Sequence, residues 1–258
     1  MAATPEYDVI VVGSGAAGGW VAKETTERGC RVLQLEAGPK LEPGKSFPLP
    51  DTESNSRVSV VSRVKAILRG QQIQARCMSF TPLTQHLFVN DRQNPYTTTP
   101  GTRFNWYRSH QLGGRLHLWG RNALRFSDSE FKAAEADGFG DNWPVSYSDI
   151  APWYEHVERF LGVAGQPAGI PNLPDGSYER PHRTTAAEEA LLQDFAEKWP
   201  DRPATTCRII RHNPARIPLP LSAASKTGRL DIRAGCMAES VETDEITGRA
   251  TGVTFVDT

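Results

Sequence analysis

An α/β fold built on a parallel sheet is predicted by three features of this 258-residue sequence. Residues 7–38, YDVIVVGSGAAGGWVAKETTERGCRVLQLEAG, run from an apolar stretch through glycines and a helical segment to a second apolar stretch ending in an acid. The middle of the chain carries helical segments with their own start signals. The last 30 residues read as short strands with a turn between them.

Residues 7–12 are almost continuously apolar and β-branched, the pattern of a buried parallel strand. Residues 15–29 read as a helix stopped at Gly29, and 31–36 as a second strand. Pro39, Pro43, Pro48 and Pro50 punctuate a loop over 38–55. Val58, Val61, Val64, Ile67 and Leu68 recur at helical spacing, predicting a helix over 56–69 ended by Gly70. Asn, Thr, Pro and Gly cluster at 90–102 as a long loop, with a short strand expected at 104–108. Ser127 with Glu130, and Thr185 with Glu188, have the spacing of capping boxes. They predict helices over 128–137 and 186–199, with a further helix at 148–161. The runs RLDIRAG, CMAESVETDE and ATGVTFVDT predict a three-stranded β-meander, with EITGR as a tight turn.

Composition narrows the function. Hydrophobic residues make up 38% and charged residues 23%, ordinary for a soluble protein. A formal net charge of −1 gives no electrostatic case for nucleic acid. Arg202, Arg208, Arg211, His212 and Arg216 form a loosely basic stretch, read as a solvated loop. No apolar run reaches the length of a membrane span. Cys30, Cys77, Cys207 and Cys236 are too scattered to form a CxxC pair, so free thiols and no metal site are expected. The compartment expected is the cytoplasm, or the periplasm if a signal segment precedes Met1.

The first 38 residues carry the clearest chemistry. Gly13, Gly15 and Gly18 spell GxGxxG between a strand and a helix. Gly13 permits the tight turn, Gly15 lets backbone approach a pyrophosphate, and Gly18 lets helix lie close on strand. Ala16 and Ala17 open that helix, whose N-terminal amides favour phosphate. Glu36, 18 positions beyond Gly18, ends the second strand and can accept both adenosine ribose hydroxyls, which disfavours a 2′-phosphate. This pattern reports an ADP moiety and leaves FAD and NAD open. The ending Glu36-Ala37-Gly38 is similar to that of many flavoproteins with an N-terminal dinucleotide fold.

A second glycine segment, LGGRLHLWGRNALRF, contains Gly113, Gly114, Trp119, Gly120, Arg121 and Asn122. Its glycines allow backbone to pass close to a planar ligand. On physical grounds a buried loop with a packed tryptophan fits equally well.

The segment resembles the second fingerprint of the glucose–methanol–choline oxidoreductases. Its continuation to FLGV resembles the bacterial sugar and polyol dehydrogenase branch. The resemblance implies a Rossmann-like FAD-binding domain with a helical insertion. It also implies that the Gly113–Gly114 loop runs along the flavin and that backbone at Met237 and Ala238 touches the adenine. FAD is the implied cofactor, and oxidation of a CH–OH group of an alcohol, polyol or sugar the implied reaction. His117 sits one position off the place of a flavin-tethering histidine, so it is expected to pack or hydrogen bond near the cofactor.

The family pattern also implies a longer protein, with a final strand beside the first, a substrate domain and a catalytic histidine pair. On that basis the chain is expected to be an N-terminal part lacking the C-terminal catalytic part. No catalytic residue is assigned to it. Its partners would be a small alcohol or sugar in the complete enzyme, and an electron acceptor or the missing half. The expected domain division places the FAD-binding domain at 1–38, 104–126 and 204–258. Residues 39–103 and 127–203 would be insertions or part of a cap. The alternatives are an NAD-binding oxidoreductase piece and a non-catalytic dinucleotide-binding module.

Overall fold

A computed structural model describes residues 6–42, 46, 60–210 and 218–258. The expected proline loop at 43–45 and 47–55, Val58, Arg211, His212 and Arg216 lie outside the described residues. The chain divides into two compact units, one of residues 1–119 with 213–258 and one of residues 120–212.

The first unit is built on a parallel sheet. β1 (Val9–Val12) turns through the glycines into α1 (Ala16–Glu27), which returns to β2 (Val32–Glu36). β2 pairs in parallel with β1 on one side and with β5 (Leu230–Ala234) on the other. All five residues of β2 are buried, which explains their apolar run. β1 has the apolar pattern of a buried parallel strand and forms an edge of the sheet among the described residues, with Val12 57% exposed.

Alternation along β2 divides the core. Val32 packs with Val11, Ala22 and Ala224 beneath α1 and α7 (Leu219–Lys226). Leu33 and Leu35 face the other way, onto Cys236, Val253 and Phe255. Those three belong to an antiparallel ribbon of β6 (Cys236–Thr243) and β7 (Ala250–Asp257). The unit is therefore layered as helices, parallel sheet and ribbon. The α/β parallel fold is as expected, but the meander is two-stranded. RLDIRAG, expected as its first strand, instead joins the parallel sheet as β5. Gly235, at φ 72°, is the single residue between β5 and β6, a link too short for a two-residue hairpin turn. The EITGR turn forms as expected, with the Asp244 carboxylate accepting from the amides of Ile246 and Thr247.

α7 has no counterpart in the sequence reading, because its Leu-Pro-Leu start looks like a loop. Pro220 lies in the first turn, where a missing N–H costs nothing. The segment α2 (Val60–Leu68) is helical as expected, but Ala66 is its one buried residue and its valines are largely exposed. Ala66, Ala75, Phe80 and Phe88 make a small core of their own. No strand forms at 104–108. There Tyr96, Phe104 and Trp106 gather edge to face, and the Arg108 guanidinium lies 5.1 Å from the Tyr96 and Trp106 ring centres.

The second unit holds α3 (Asp128–Phe131), α4 (Ala133–Asp137), α5 (Tyr147–Leu161), β3 (Val163–Ala164), α6 (Ala186–Lys198) and β4 (Ile209–Ile210). Both expected capping boxes form, and Ser146 with Asp149 adds a third. The helix expected over 128–137 breaks at Lys132. Its interior is fastened by ions. Arg125 and Glu158 pair bidentately at 2.8 and 2.6 Å, each side chain under a tenth exposed. Tyr147 Oη accepts from Arg125, and the Ser177 amide donates to Glu158. Arg208 is 1% exposed and pairs with Asp175 at 2.8 Å, so it is no part of a solvated basic loop. The Ala168 amide foremost, with the Gly169 amide and the Arg208 charge, holds the Asp175 carboxyl below the usual carboxylate range against an opposing effect of burial.

Glu158→Ala is expected to destabilise this unit by about 3–5 kcal/mol, because it leaves the Arg125 charge buried and unpaired. A double Arg125→Met/Glu158→Leu variant should recover most of that loss in denaturant unfolding. An unchanged midpoint for the single variant would show the pair to be dispensable. Asp175, with its depressed folded-state pKa, contributes stability that is present above the unfolded carboxylate value and lost as pH falls through the folded one. Thermal melts taken from neutral pH downward should therefore show a shallower acid decline in Asp175→Asn than in the parent.

Candidate functional site

The site forms where β1 and β2 end, the place ligands take in open parallel sheets. The Gly13 amide donates to Leu35 O at 2.8 Å, closing the turn onto β2. Gly13 has φ 86°, a left-handed conformation that glycine adopts without strain. A Cβ on Gly18 would lie 1.9 Å from Gly13 O, so α1 and the turn approach as closely as the motif predicts.

Gly15 differs. Its φ of −65° suits any residue, and a Cβ there would meet nothing within 4 Å. Among the described residues, nothing near Gly15 requires a glycine at this position. Gly15 is also the N-cap of α1, which has no side-chain cap hydrogen bond and no acid in its first turn. The amides at Ala16 and Ala17 thus open the helix without a carboxylate competing for them. A bare helix start beside a glycine that the fold does not need fits the pyrophosphate of a dinucleotide.

Glu36 is 7% exposed at the end of β2. Its Oε2 accepts from the Ser14 amide at 2.9 Å and from the Ser14 hydroxyl, and its Oε1 accepts from the Gly38 amide at 2.9 Å. A carboxylate has about four acceptor positions. The expectation that Glu36 takes both ribose hydroxyls is therefore narrowed, since one direction, on Oε1, remains. Ala37 O accepts from Thr258 Oγ1 at 2.7 Å, and Gly38 O accepts from the Gly235 amide at 3.1 Å. This brings the β5–β6 corner to the end of β2. Met237, 44% exposed, and Ala238 follow that corner on β6, paired with Val256 and Phe255.

The second glycine segment is split. Gly113 and Gly114 lie in the first unit against the glycine turn. The Gly113 amide donates to Ser14 Oγ at 2.8 Å, and a Cβ on Gly114 would lie 3.5 Å from Gly15 Cα. His117 Nε2 bonds Leu112 O at 2.8 Å within the same loop. Trp119 closes this unit's stretch and is 41% exposed. Gly120, Arg121 and Asn122 belong to the second unit. There Arg121, at φ 62°, gives its carbonyl to the Ile210 amide, and Asn122 bridges to Ile209.

Two residues of the site escaped the sequence reading. Ser14, fully buried, joins Glu36 to Gly113. Gln34, also fully buried, donates from Nε2 to Gly13 O at 2.9 Å and braces the turn. A lone amide inside the apolar run VLQLE was the available signal for Gln34. Among the described residues, no group of three or more His, Cys, Asp or Glu side chains is arranged to hold a metal. No described helix is long and apolar enough to cross a membrane.

The structural neighbours are FAD-binding domains of the glucose–methanol–choline type, and the chain shares their α/β fold with a parallel sheet. No family model matches the chain. Its homologues are FAD-dependent oxidoreductases of that type. Paromamine 6′-oxidase of Streptomyces fradiae is 27% identical over 190 residues, covering 72% of this chain and 28% of the relative. The 6‴-hydroxyparomomycin C oxidase of Streptomyces lividus is 29% identical over 213 residues, covering 81% of this chain and 32% of the relative. The crystal structure of pyridoxine 4-oxidase from Mesorbium loti superposes with a TM-score of 0.51 at 18% identity, over 98% of this chain and 48% of that one. The chain thus spans about a third of the length of these two curated relatives.

Gly18→Ala tests the close approach of α1 to the turn. Helix propensity alone would favour alanine by about 1 kcal/mol. Overlap with the Gly13 carbonyl, backbone that cannot swing aside, should cost at least the top of the roughly 1–3 kcal/mol range of overpacking, so a net loss of about 2 kcal/mol or more is expected. A raised melting temperature would show that turn and helix have slack.

Proposed function

We propose that this chain is the FAD-binding portion of an oxidoreductase that oxidises CH–OH groups of an alcohol, polyol or sugar. The observation that carries the reading is the start of α1. It has no side-chain cap, lies beside a glycine the fold does not require, and faces the sheet end where Glu36 is buried. The names of the relatives, oxidases and dehydrogenases of hydroxylated substrates, support the reaction class.

In this reading the amides of Ala16, Ala17 and Gly18 hold the pyrophosphate, and Gly15 admits it. Glu36 Oε1 accepts from an adenosine ribose hydroxyl, and backbone near Met237 and Ala238 borders the adenine. The Gly113–Gly114 backbone lies along the flavin ring, with Trp119 extending that wall. Bound FAD supplies the hydride acceptor for turning CH–OH into a carbonyl. The hydroxyl proton must leave to a base within hydrogen-bond reach. No described histidine is assigned that role. The substrate is a small hydroxylated molecule. The protein works with an electron acceptor or with further polypeptide.

Titration of the chain with FAD and, separately, NAD, followed by flavin fluorescence and calorimetry, tests the reading. FAD should bind and NAD should not. Gly15→Val should keep the parent's circular dichroism, because a Cβ there meets nothing within 4 Å, and lose only about 1 kcal/mol of stability to the poorer N-cap. Its FAD affinity should fall at least about 100-fold, two factors of about 1.4 kcal/mol. A Gly15→Val chain that still binds FAD like the parent would remove the phosphate turn from the proposal.

A further inference from the structure

Ser14 is completely buried and stands one position before Gly15, the N-cap of α1. Its hydroxyl bonds two segments distant in sequence. It accepts from the Gly113 amide at 2.8 Å, 99 residues along the chain. Because that amide can only donate, the hydroxyl proton is free for Glu36 Oε2, which also accepts the Ser14 amide at 2.9 Å. The result is a directed chain, Gly113 N–H to Ser14 O–H to the Glu36 carboxylate.

This chain joins the two glycine segments. On one side stands the turn that faces phosphate, and on the other the Gly113–Gly114 loop. The loop is held elsewhere as well. Leu112 N donates to Pro39 O at 2.9 Å, and a Cβ on Gly113 would meet His117 Nε2 and Pro218 Cγ at 2.6 Å. Ser14 is the contact that sets the loop against the phosphate turn itself.

We propose that Ser14 is a positioning residue: it fixes the Gly113–Gly114 loop relative to the phosphate turn, and so orients the flavin end of the cofactor rather than its ADP end. The proposal rests on the FAD reading above. It assigns a distinct consequence to one hydroxyl. Without it, the ADP-binding parts (Gly13 to Gly18 and Glu36) remain, while the buried Gly113 amide loses its acceptor and the loop is released.

The test uses the full chain with Ser14→Ala, and Ser14→Cys as a second variant of similar volume whose sulfur accepts only weakly. Amide hydrogen exchange at Gly113 should be faster in both variants than in the parent, with or without ligand. FAD affinity should fall about tenfold, the effect of one lost buried hydrogen bond, while ADP affinity changes less than about threefold. The visible circular dichroism of bound flavin should change shape. A purely structural role for Ser14 would weaken FAD and ADP equally. That result, or parent-like exchange at Gly113 in both variants, overturns the proposal. If the parent binds ADP but not FAD, or binds neither, the cofactor reading falls and takes this proposal with it. If the parent binds FAD and the variants match it in exchange, affinity ratio and spectrum, this proposal falls alone.

Discussion

The buried carboxylate of Glu36 is the point on which the first unit turns. A carboxylate so nearly excluded from water is tolerated when donors surround it. Here the donors come from the glycine turn and from Gly38, at 2.9 Å each, with the Ser14 hydroxyl as the third. Through Ser14 the same hub reaches Gly113, and through Gly38 it reaches Gly235 and the β5–β6 corner. Four backbone segments distant in sequence are thereby gathered at one end of the sheet. An acid that the motif reads as a ligand contact is also the structural centre of the site.

Glycine spacing serves two separate ends in this arrangement. Gly18 and Gly38 are demanded by the fold. A Cβ on Gly18 would strike Gly13 O, and one on Gly38 would fall 2.2–2.3 Å from backbone at His110 and Gln111. Gly15 is not demanded by anything among the described residues. The proposed phosphate contact rests on this: a residue type that the described fold does not need, at a helix start that no side chain caps. The other glycines of the motif cannot make that distinction.

The two units differ in how they are held. The first relies on apolar burial on both sides of β2, with Val32 and Leu35 almost wholly excluded from solvent. The second has fewer buried apolar side chains and instead encloses Arg125–Glu158 and Arg208–Asp175. Burial of such pairs contributes modest net stability, but losing one partner is costly, so these pairs act more as locks on conformation than as a source of cohesion.

Local chemistry by itself determined β1, α1, β2 and the helices that begin with capping boxes, because their signals lie within a few residues of each element. It also determined the glycine turn and the position of Glu36 after it. Tertiary structure decided the rest. RLDIRAG has the same pattern for a ribbon strand as for a parallel one. β5 pairs with β2 along the edge that β1 leaves open, and the one-residue link at Gly235 is too short for a hairpin with β6. The aromatic residues at 104–106 favour a strand in isolation, but they gather beside the Arg108 guanidinium instead. Leu219–Lys226 is helical against α1, where Leu221 and Ala224 are buried, although its prolines read as a loop. Ser14 shows the limit most clearly. Its neighbours in sequence suggest a turn residue or a cap, and only the return of the chain 99 residues later gives its hydroxyl the Gly113 amide to hold.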